Sequence, residues 1–253
     1  MDTSYLFNHE KHYLTLNNYL KHIYNKKVFK ISLNGNFSCP NRDGTISTQG
    51  CIFCSEKGSG DFAGDKNKCI KEQFEEIKEM MHLKWNDGYY IAYFQANTNT
   101  YGTLEKLKAT YSQIVTNNYL IDENVKILSI ATRPDCLSEE IVEYLSSINK
   151  IIPIWVELGF QTMHEDTAIL INRGYKNNKL EEAIKLLKKY SITTIVHIIN
   201  GLPNETKEMM VETVKYLNNL GIDGIKIHML HIMKNTPLEE YYKNKPFHVL
   251  TLE

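Results

Sequence analysis

Six times along this chain a short apolar run, rich in β-branched and aromatic residues, leads through a polar loop into an amphipathic stretch. The runs are Val28–Leu33, Tyr89–Gln95, Val125–Ala131, Pro153–Phe160, Thr193–Ile199 and Gly224–Leu230. The amphipathic stretches are Cys69–Trp85, Leu104–Asn117, Ser138–Ile148, Leu180–Tyr190, Glu205–Leu220 and a shorter Leu238–Tyr242. Phe74, Ile77 and Met81 keep a helical period, as do Ile141, Leu145 and Ile148. Ser138 before two glutamates marks a helix start, and Gly221 marks a stop. Strands alternating with helices at this interval imply parallel strands joined by right-handed crossovers. The expected class is α/β, as a six-strand partial barrel or a doubly wound sheet. A further helix is expected at Thr15–Ile23, within an N-terminal extension over 1–27 that precedes a barrel over 28–253.

In either architecture ligands gather at the C-terminal ends of the strands. Polar residues collect there. The second run leads into Gln95-Ala-Asn97-Thr98-Asn99-Thr100-Tyr101, and the third into Thr132-Arg133-Pro134-Asp135. In the fourth, a period of two puts Glu157, Gly159 and Gln161 on one face and Val156, Leu158 and Phe160 on the other. The apolar face should meet helices, so Glu157 and Gln161 should look into the barrel. The fifth run carries His197, and the sixth carries Lys226 and His228 on one face. Each alone has a plainer explanation, since Asn–Thr clusters make turns and a strand His is more often a satisfied core residue. Their joint placement at one end of successive strands is what points to a site. Asn97, Asn99, Tyr101, Glu157, Lys226 and His228 are accordingly the substrate-facing or catalytic candidates.

The loop after the first run holds Cys39, Cys51 and Cys54. Three soft thiolates converging on one point suit an iron–sulfur cluster or zinc. Three ligands leave an open position, where a closed structural site would want four. Cys69 could supply a fourth, which keeps a zinc-binding nucleic-acid module as the alternative from a different class.

Net charge is −1, so no global field advertises nucleic acid or a membrane. Basic residues are instead local. Lys11, Lys21, Lys26, Lys27 and Lys30 lie in the first thirty residues, and Arg173, Lys176, Lys179, Lys185, Lys188 and Lys189 lie within 171–190. The plain reading of both groups is a solvated helix face. The N-terminus has no apolar signal core, and the longest apolar run, Ile151–Val156, is too short to span a bilayer. Cysteine usage does not resemble a secreted disulfide framework, and the expected compartment is the cytoplasm. The chain stops at His248-Val-Leu-Thr-Leu-Glu253, which reads as the start of another element, so either a C-terminal region cut short or an unusual short form is expected.

Together these residues resemble the radical S-adenosylmethionine superfamily, from the three-Cys loop through the sixth run. Eleven residues separate Cys39 from Cys51, where the common superfamily spacing has three. The longer loop resembles the elongator-type branch and its YhcC/YtqA-type subfamily. So do Cys39-Pro-Asn-Arg-Asp-Gly44, Tyr93-Phe-Gln-Ala-Asn-Thr-Asn-Thr-Tyr101, Thr132-Arg-Pro-Asp135, Val156-Glu-Leu-Gly-Phe-Gln161, Asn172-Arg-Gly174 and Gly201-Leu-Pro203. The resemblance implies a partial (β/α)6 TIM-like barrel. Cys39, Cys51 and Cys54 would bind a [4Fe–4S] cluster whose fourth iron takes the amino and carboxylate groups of S-adenosylmethionine. Phe53, Gln95, Thr132, Gln161, Arg173 and His197 are the implied S-adenosylmethionine contacts, with Arg173 suited to the methionyl carboxylate. Relatives carry an Asp where this chain has His197.

A Gram-positive type within that subfamily resembles the MnmL-type enzymes of the tRNA wobble uridine. The implied reaction converts 5-carboxymethylaminomethyluridine, often 2-thiolated, to 5-aminomethyluridine. The implied partners are tRNA, a reducing electron donor such as flavodoxin or ferredoxin, and a tRNA methyltransferase acting next. The two Lys-bearing segments would then hold the RNA backbone. Methylation or methylthiolation of RNA or of a small molecule would use the same cofactor residues.

Overall fold

The β-branched runs form six strands, β1 Val28–Leu33, β2 Tyr89–Phe94, β3 Val125–Thr132, β4 Ile154–Gln161, β5 Thr193–Asn200 and β6 Gly224–Met229. They appear in a computed structural model that describes residues 13–85, 87–115, 121 and 123–251. Every neighbouring pair is parallel, and the order is β1-β2-β3-β4-β5-β6. A doubly wound sheet would reverse its strand order at a switch point. This order never reverses, and the six strands curl into a half-barrel.

The helices are α1 Leu16–Tyr24, α2 Ile70–His82, α3 Leu104–Val115, α4 Glu139–Asn149, α5 Glu165–Leu170, α6 Asn177–Lys189, α7 Lys207–Leu220 and α8 Pro237–Asn244. Side-chain caps fix several of their starts. Thr15, Ser138, Thr206 and Thr236 each accept a backbone N–H of the first turn, and Gly221 closes α7 in the left-handed region. Most bounds shift by a residue or more from the sequence expectation, and three differences stand out. Helix α2 begins after Cys69, because that sulfur accepts the Glu72 amide in a capping box and so lies outside the helix. Helix α6 begins at Asn177, three residues before its first buried position, Leu180. Helix α5, only six residues long, escaped the periodicity reading altogether. The end of the expected stretch Leu104–Asn117 lies outside the described residues.

The two faces of the sheet serve different ends. Phe29, Ile31, Leu33, Ala92, Phe94, Leu128, Ile130, Val156, Leu158, Phe160, Val196 and Ile198 share one core with α2, α3, α4, α6 and α7. The opposite, inner face carries a smaller apolar cluster. There Ile91, Tyr93, Ile127, Ala131 and Trp155 pack with Leu20 of α1, and Tyr24, Val28 and Ile195 lie against them. Tyr19 tilts against Trp155 and Tyr24 sets its edge on Tyr89. Helix α1 thus lies against the inner face with aromatic and aliphatic side chains. The rest of that face is mostly polar, apart from Ile199, which packs beside Leu202 and Leu230.

Candidate functional site: a pinned cysteine loop above a charged inner wall

On β4 the inner set is Trp155, Glu157, Gly159 and Gln161, as the period of two predicted. Glu157 is completely buried. Its Oε1 accepts Lys30 Nζ of β1 at 2.6 Å and Ser129 Oγ of β3 at 2.6 Å. Its Oε2 accepts His197 Nε2 of β5 at 2.7 Å, with Lys226 Nζ of β6 at 3.6 Å. An ionised carboxylate only accepts, so His197 carries its proton on Nε2 in this pair. Burial alone would raise the Glu157 pKa. The His197 hydrogen bond and the Lys30 ammonium outweigh it and hold the carboxyl well below the usual range. Burial lowers the pKa of His197, and also that of Lys226, where Glu157 partly offsets it.

Tyr93 stands between the two lysines. Lys226 Nζ donates to its hydroxyl at 3.0 Å, and the Lys30 and Lys226 ammoniums lie 4.4 and 4.7 Å from its ring centroid. Burial and the Glu157 charge raise the pKa of its hydroxyl, so Tyr93 stays protonated. The His228 ring lies 5.1 Å from that of His197, centroid to centroid, and its buried Nε2 has no hydrogen-bond partner. Burial, and then the charges of His197 and Lys226, depress its pKa to about 4. The structure therefore joins Glu157, His197, Lys226 and His228, and adds three residues that the motif reading passed over. The signal for Lys30 was present: a period of two puts it and Ser32 on the face opposite Phe29, Ile31 and Leu33. The same count places Tyr93 and Ser129 beside it.

The cysteine loop is held above this wall by its own hydrogen bonds. The Cys39 carbonyl accepts Arg42 N and Asp43 N, and Cys54 N donates to the Cys51 carbonyl at 3.0 Å. Arg42 closes the far side by donating to the carbonyls of Cys54, Ser55 and Glu56. Buried Asn41 donates to the Asn172 carbonyl at 2.6 Å and to Cys51 Sγ at 3.5 Å. Asn172 donates back to the Gly50 carbonyl at 2.7 Å. Gly174, with φ +80°, packs so tightly here that a Cβ would lie 2.9 Å from Asn41 Oδ1. Ser59 links the loop to the sheet, since its hydroxyl contacts Cys54 Sγ at 3.3 Å and its carbonyl accepts Gln95 Nε2 at 2.8 Å.

The three thiols suit a cationic centre. Burial pushes Cys51 up to about 12, with the neighbouring Cys54 adding to it, and burial also raises Cys54. A buried thiolate is stabilised by a metal that neutralises it. Among the described residues no three His, Cys, Asp or Glu side chains are grouped to hold a single metal ion. The zinc alternative also needs Cys69, whose sulfur caps α2.

Other expected contacts have different partners. The Arg173 side chain, 1 % exposed, was expected to meet a methionyl carboxylate. All five of its N–H donors are instead engaged. Nε donates to the Tyr175 carbonyl, Nη1 to the Phe160 and Thr162 carbonyls, and Nη2 to Glu165 and Asn177. Arg173 is the clamp that ties the end of β4 to the starts of α5 and α6. Thr132 is similarly redirected. Ala131 faces inward, so Thr132 faces outward, and its hydroxyl pairs with Thr100 at 2.5 Å. Asn99 donates to the Phe94 and Ala131 carbonyls as a buried loop brace. Asn97 adopts φ +59° and donates its backbone N–H to Gly58. Tyr101 bonds Thr45 at 2.8 Å and lines a cavity of about 600 Å³ outside the inner wall, beside Pro40 and Cys136. Phe53 lies against Ile171, Leu202, Leu230 and Leu238. Gln161 holds a left-handed φ of +72° at the bulge opposite β5. A non-glycine residue there is strained, a feature common where a side chain is aimed for a purpose.

The basic segments are partly spent. Lys30 belongs to the inner wall, Lys26 pairs with Asp87, and Lys27 donates to Asn17. Lys179 and Lys189 pair with Glu182 and Glu139, and Lys188 donates to the Leu220 carbonyl. Among the described residues no helix is long and apolar enough to cross a membrane.

A family model described as the radical SAM superfamily matches residues 43–217, and a radical SAM C-terminal domain model matches 222–253. The protein YtqA of Bacillus subtilis (strain 168) is 50% identical over 236 residues, which are 93% of this chain and 72% of YtqA. The tRNA-2-methylthio-N(6)-dimethylallyladenosine synthase of Clostridium botulinum (strain Okra / Type B1) is 23% identical over 68% of this chain and 38% of its own. Among solved structures, archaeal Elp3 of Methanocaldococcus infernus aligns with a TM-score of 0.63 at 18% identity, over 88% of this chain. The chain spans half of that solved structure.

Proposed function

The chain belongs to the radical S-adenosylmethionine superfamily, and from that premise we propose that it modifies the wobble uridine of tRNA, converting 5-carboxymethylaminomethyl(2-thio)uridine to 5-aminomethyl(2-thio)uridine. Its cofactors are a [4Fe–4S] cluster and S-adenosylmethionine. When bound, they would supply a carbon-centred radical able to take hydrogen from the carboxymethyl unit. Oxidation of that unit by loss of a second electron, followed by hydrolysis of the C–N bond, would release it as a two-carbon oxo acid and leave the amine. Cys39, Cys51 and Cys54 are the proposed cluster ligands, and the Asn41 N–H directed at Cys51 is the kind of contact that tunes a cluster.

The observation that carries the reading is the pinned cysteine loop, tied through Ser59 to Gln95 at the end of β2, on a sheet whose inner wall is rich in ammonium and imidazole groups. Gln161 and His197 share that inner face and are proposed to border S-adenosylmethionine. The open side of a half-barrel can admit a base splayed out of an RNA loop. Similarity to a tRNA-modifying synthase supports RNA as the substrate class. A reductant such as flavodoxin or ferredoxin would deliver the electron, and a methyltransferase would act on the product.

The test is incubation of the anaerobically reconstituted protein with tRNA carrying the precursor, S-adenosylmethionine and a reductant, followed by digestion to nucleosides. The expected product is 5-aminomethyluridine together with 5′-deoxyadenosine. Unchanged precursor beside abundant 5′-deoxyadenosine would reject the substrate while leaving the cofactor chemistry standing.

A further inference from the structure

The inner wall carries more positive than negative charge. Lys30 and Lys226 face it, and Glu157 is the acidic residue between them. Both Glu157 oxygens already have short partners, Lys30 and Ser129 on one and His197 on the other. Lys226 is left at 3.6 Å from Oε2, beyond a good hydrogen bond, and its short contact is to the Tyr93 hydroxyl. An ammonium has three donors, so Lys226 has capacity to spare. Two positions along β6, His228 turns toward the same space with a buried Nε2 that meets no partner. A buried polar atom without a partner costs free energy unless something supplies one.

We propose that Lys226 and His228 form a subsite for a carboxylate, and that its occupant is the terminal carboxylate of the substrate's carboxymethylamino group. The identity of the occupant rests on the proposed function above. A carboxylate offers two oxygens, one for the spare donors of Lys226 and one for His228 Nε2–H. It also neutralises the unmatched ammonium of the wall. The carboxylate of S-adenosylmethionine is the other source of this chemistry, but the family resemblance commits that group to the cluster iron. The subsite would hold the group that is lost and would discriminate against the product, which has no carboxylate.

The test uses the full chain with its cluster reconstituted and an anticodon stem–loop RNA carrying 5-carboxymethylaminomethyluridine, compared with the same RNA as its methyl ester. The phosphate contribution is common to both, so the ratio of dissociation constants isolates the carboxylate. The acid should bind about tenfold tighter than the ester. Lys226→Met combined with His228→Phe should bring that ratio to about one, and Lys226→Arg should largely keep it. Equal binding of acid and ester by the unmodified chain overturns the subsite, and this comparison needs no variant to fold. A ratio that survives Lys226→Met and His228→Phe overturns it equally. A tenfold ratio without conversion of the bound acid rejects the reaction and leaves the subsite standing.

Discussion

Lys30 Nζ donates to Glu157 Oε1 at 2.6 Å, joining the first strand to the fourth across the inner face of the half-barrel. Because β1 and β6 are the edge strands of the sheet among the described residues, this bond and the approach of Lys226 tie both edges to one carboxylate. Glu157→Gln keeps the shape and removes the charge, leaving two ammoniums facing each other. Breaking a buried pair from one side costs about 3–5 kcal/mol. Lys30 is 25 % exposed, so the lower end is expected. Urea melts of the purified variant would measure it, and a loss near zero would mean the network is solvated.

Arg173→Lys tests the clamp. One ammonium cannot replace five donors directed at three carbonyls and two side chains, so the variant should lose about 3 kcal/mol of stability before any cofactor is added. Affinity for S-adenosylmethionine should fall only in step with folding. A variant with unchanged melts and much weaker S-adenosylmethionine binding by equilibrium dialysis would return Arg173 to the ligand.

Gly174→Ala addresses the seat of the cysteine loop. At φ +80° any side chain is strained by about 1–2 kcal/mol, and the new methyl would also crowd Asn41 and Ile46. Asn41 touches Cys51, so the strain should appear in the metal site as well as in stability. Iron per chain after anaerobic reconstitution should fall, with a shifted visible absorption. Full iron loading and an unshifted spectrum would show that the seat tolerates the change.

What could be read from the sequence followed from periodicity, and what could not depended on where polar groups find partners. Alternation on β4 gave the inward set Glu157, Gly159 and Gln161 directly, because a strand's side chains have only two faces to choose from. The same rule, applied to β1 and β3, would have turned Lys30 inward and Thr132 outward. Lys30 sits in a lysine-bearing segment that resembles a solvated face, and Thr132 sits in a recognisable motif. Arg173 is a different case. Its role depends on carbonyls freed where β4 ends and α5 begins, and α5 is too short to leave a hydrophobic period. The cysteines were legible as a trio, but Asn41 and Asn172, which hold them, resemble ordinary turn residues until the two loops meet.

His228 should make the protein sensitive to mild acid. Its folded pKa of about 4 lies below the value of about 6.5 expected in the unfolded chain. Between those values the unfolded chain binds the proton more readily, so stability rises with pH through this window and is lost as pH falls from about 6.5 toward 4. Lys226, Lys30 and His197 face the imidazole and oppose its charging, while Glu157 favours it. Its own carboxyl stays ionised throughout, since its folded pKa is held below the window. His228→Phe removes the titrating group and keeps a flat ring, so urea melts at pH 7, 6 and 5 should show a shallower decline than in the unmodified chain. Parallel declines would mean that His228 is open enough to water to protonate freely in the folded state. The spare Nε2 would then be a solvated atom, and one of the two contacts assigned to the carboxylate would be lost.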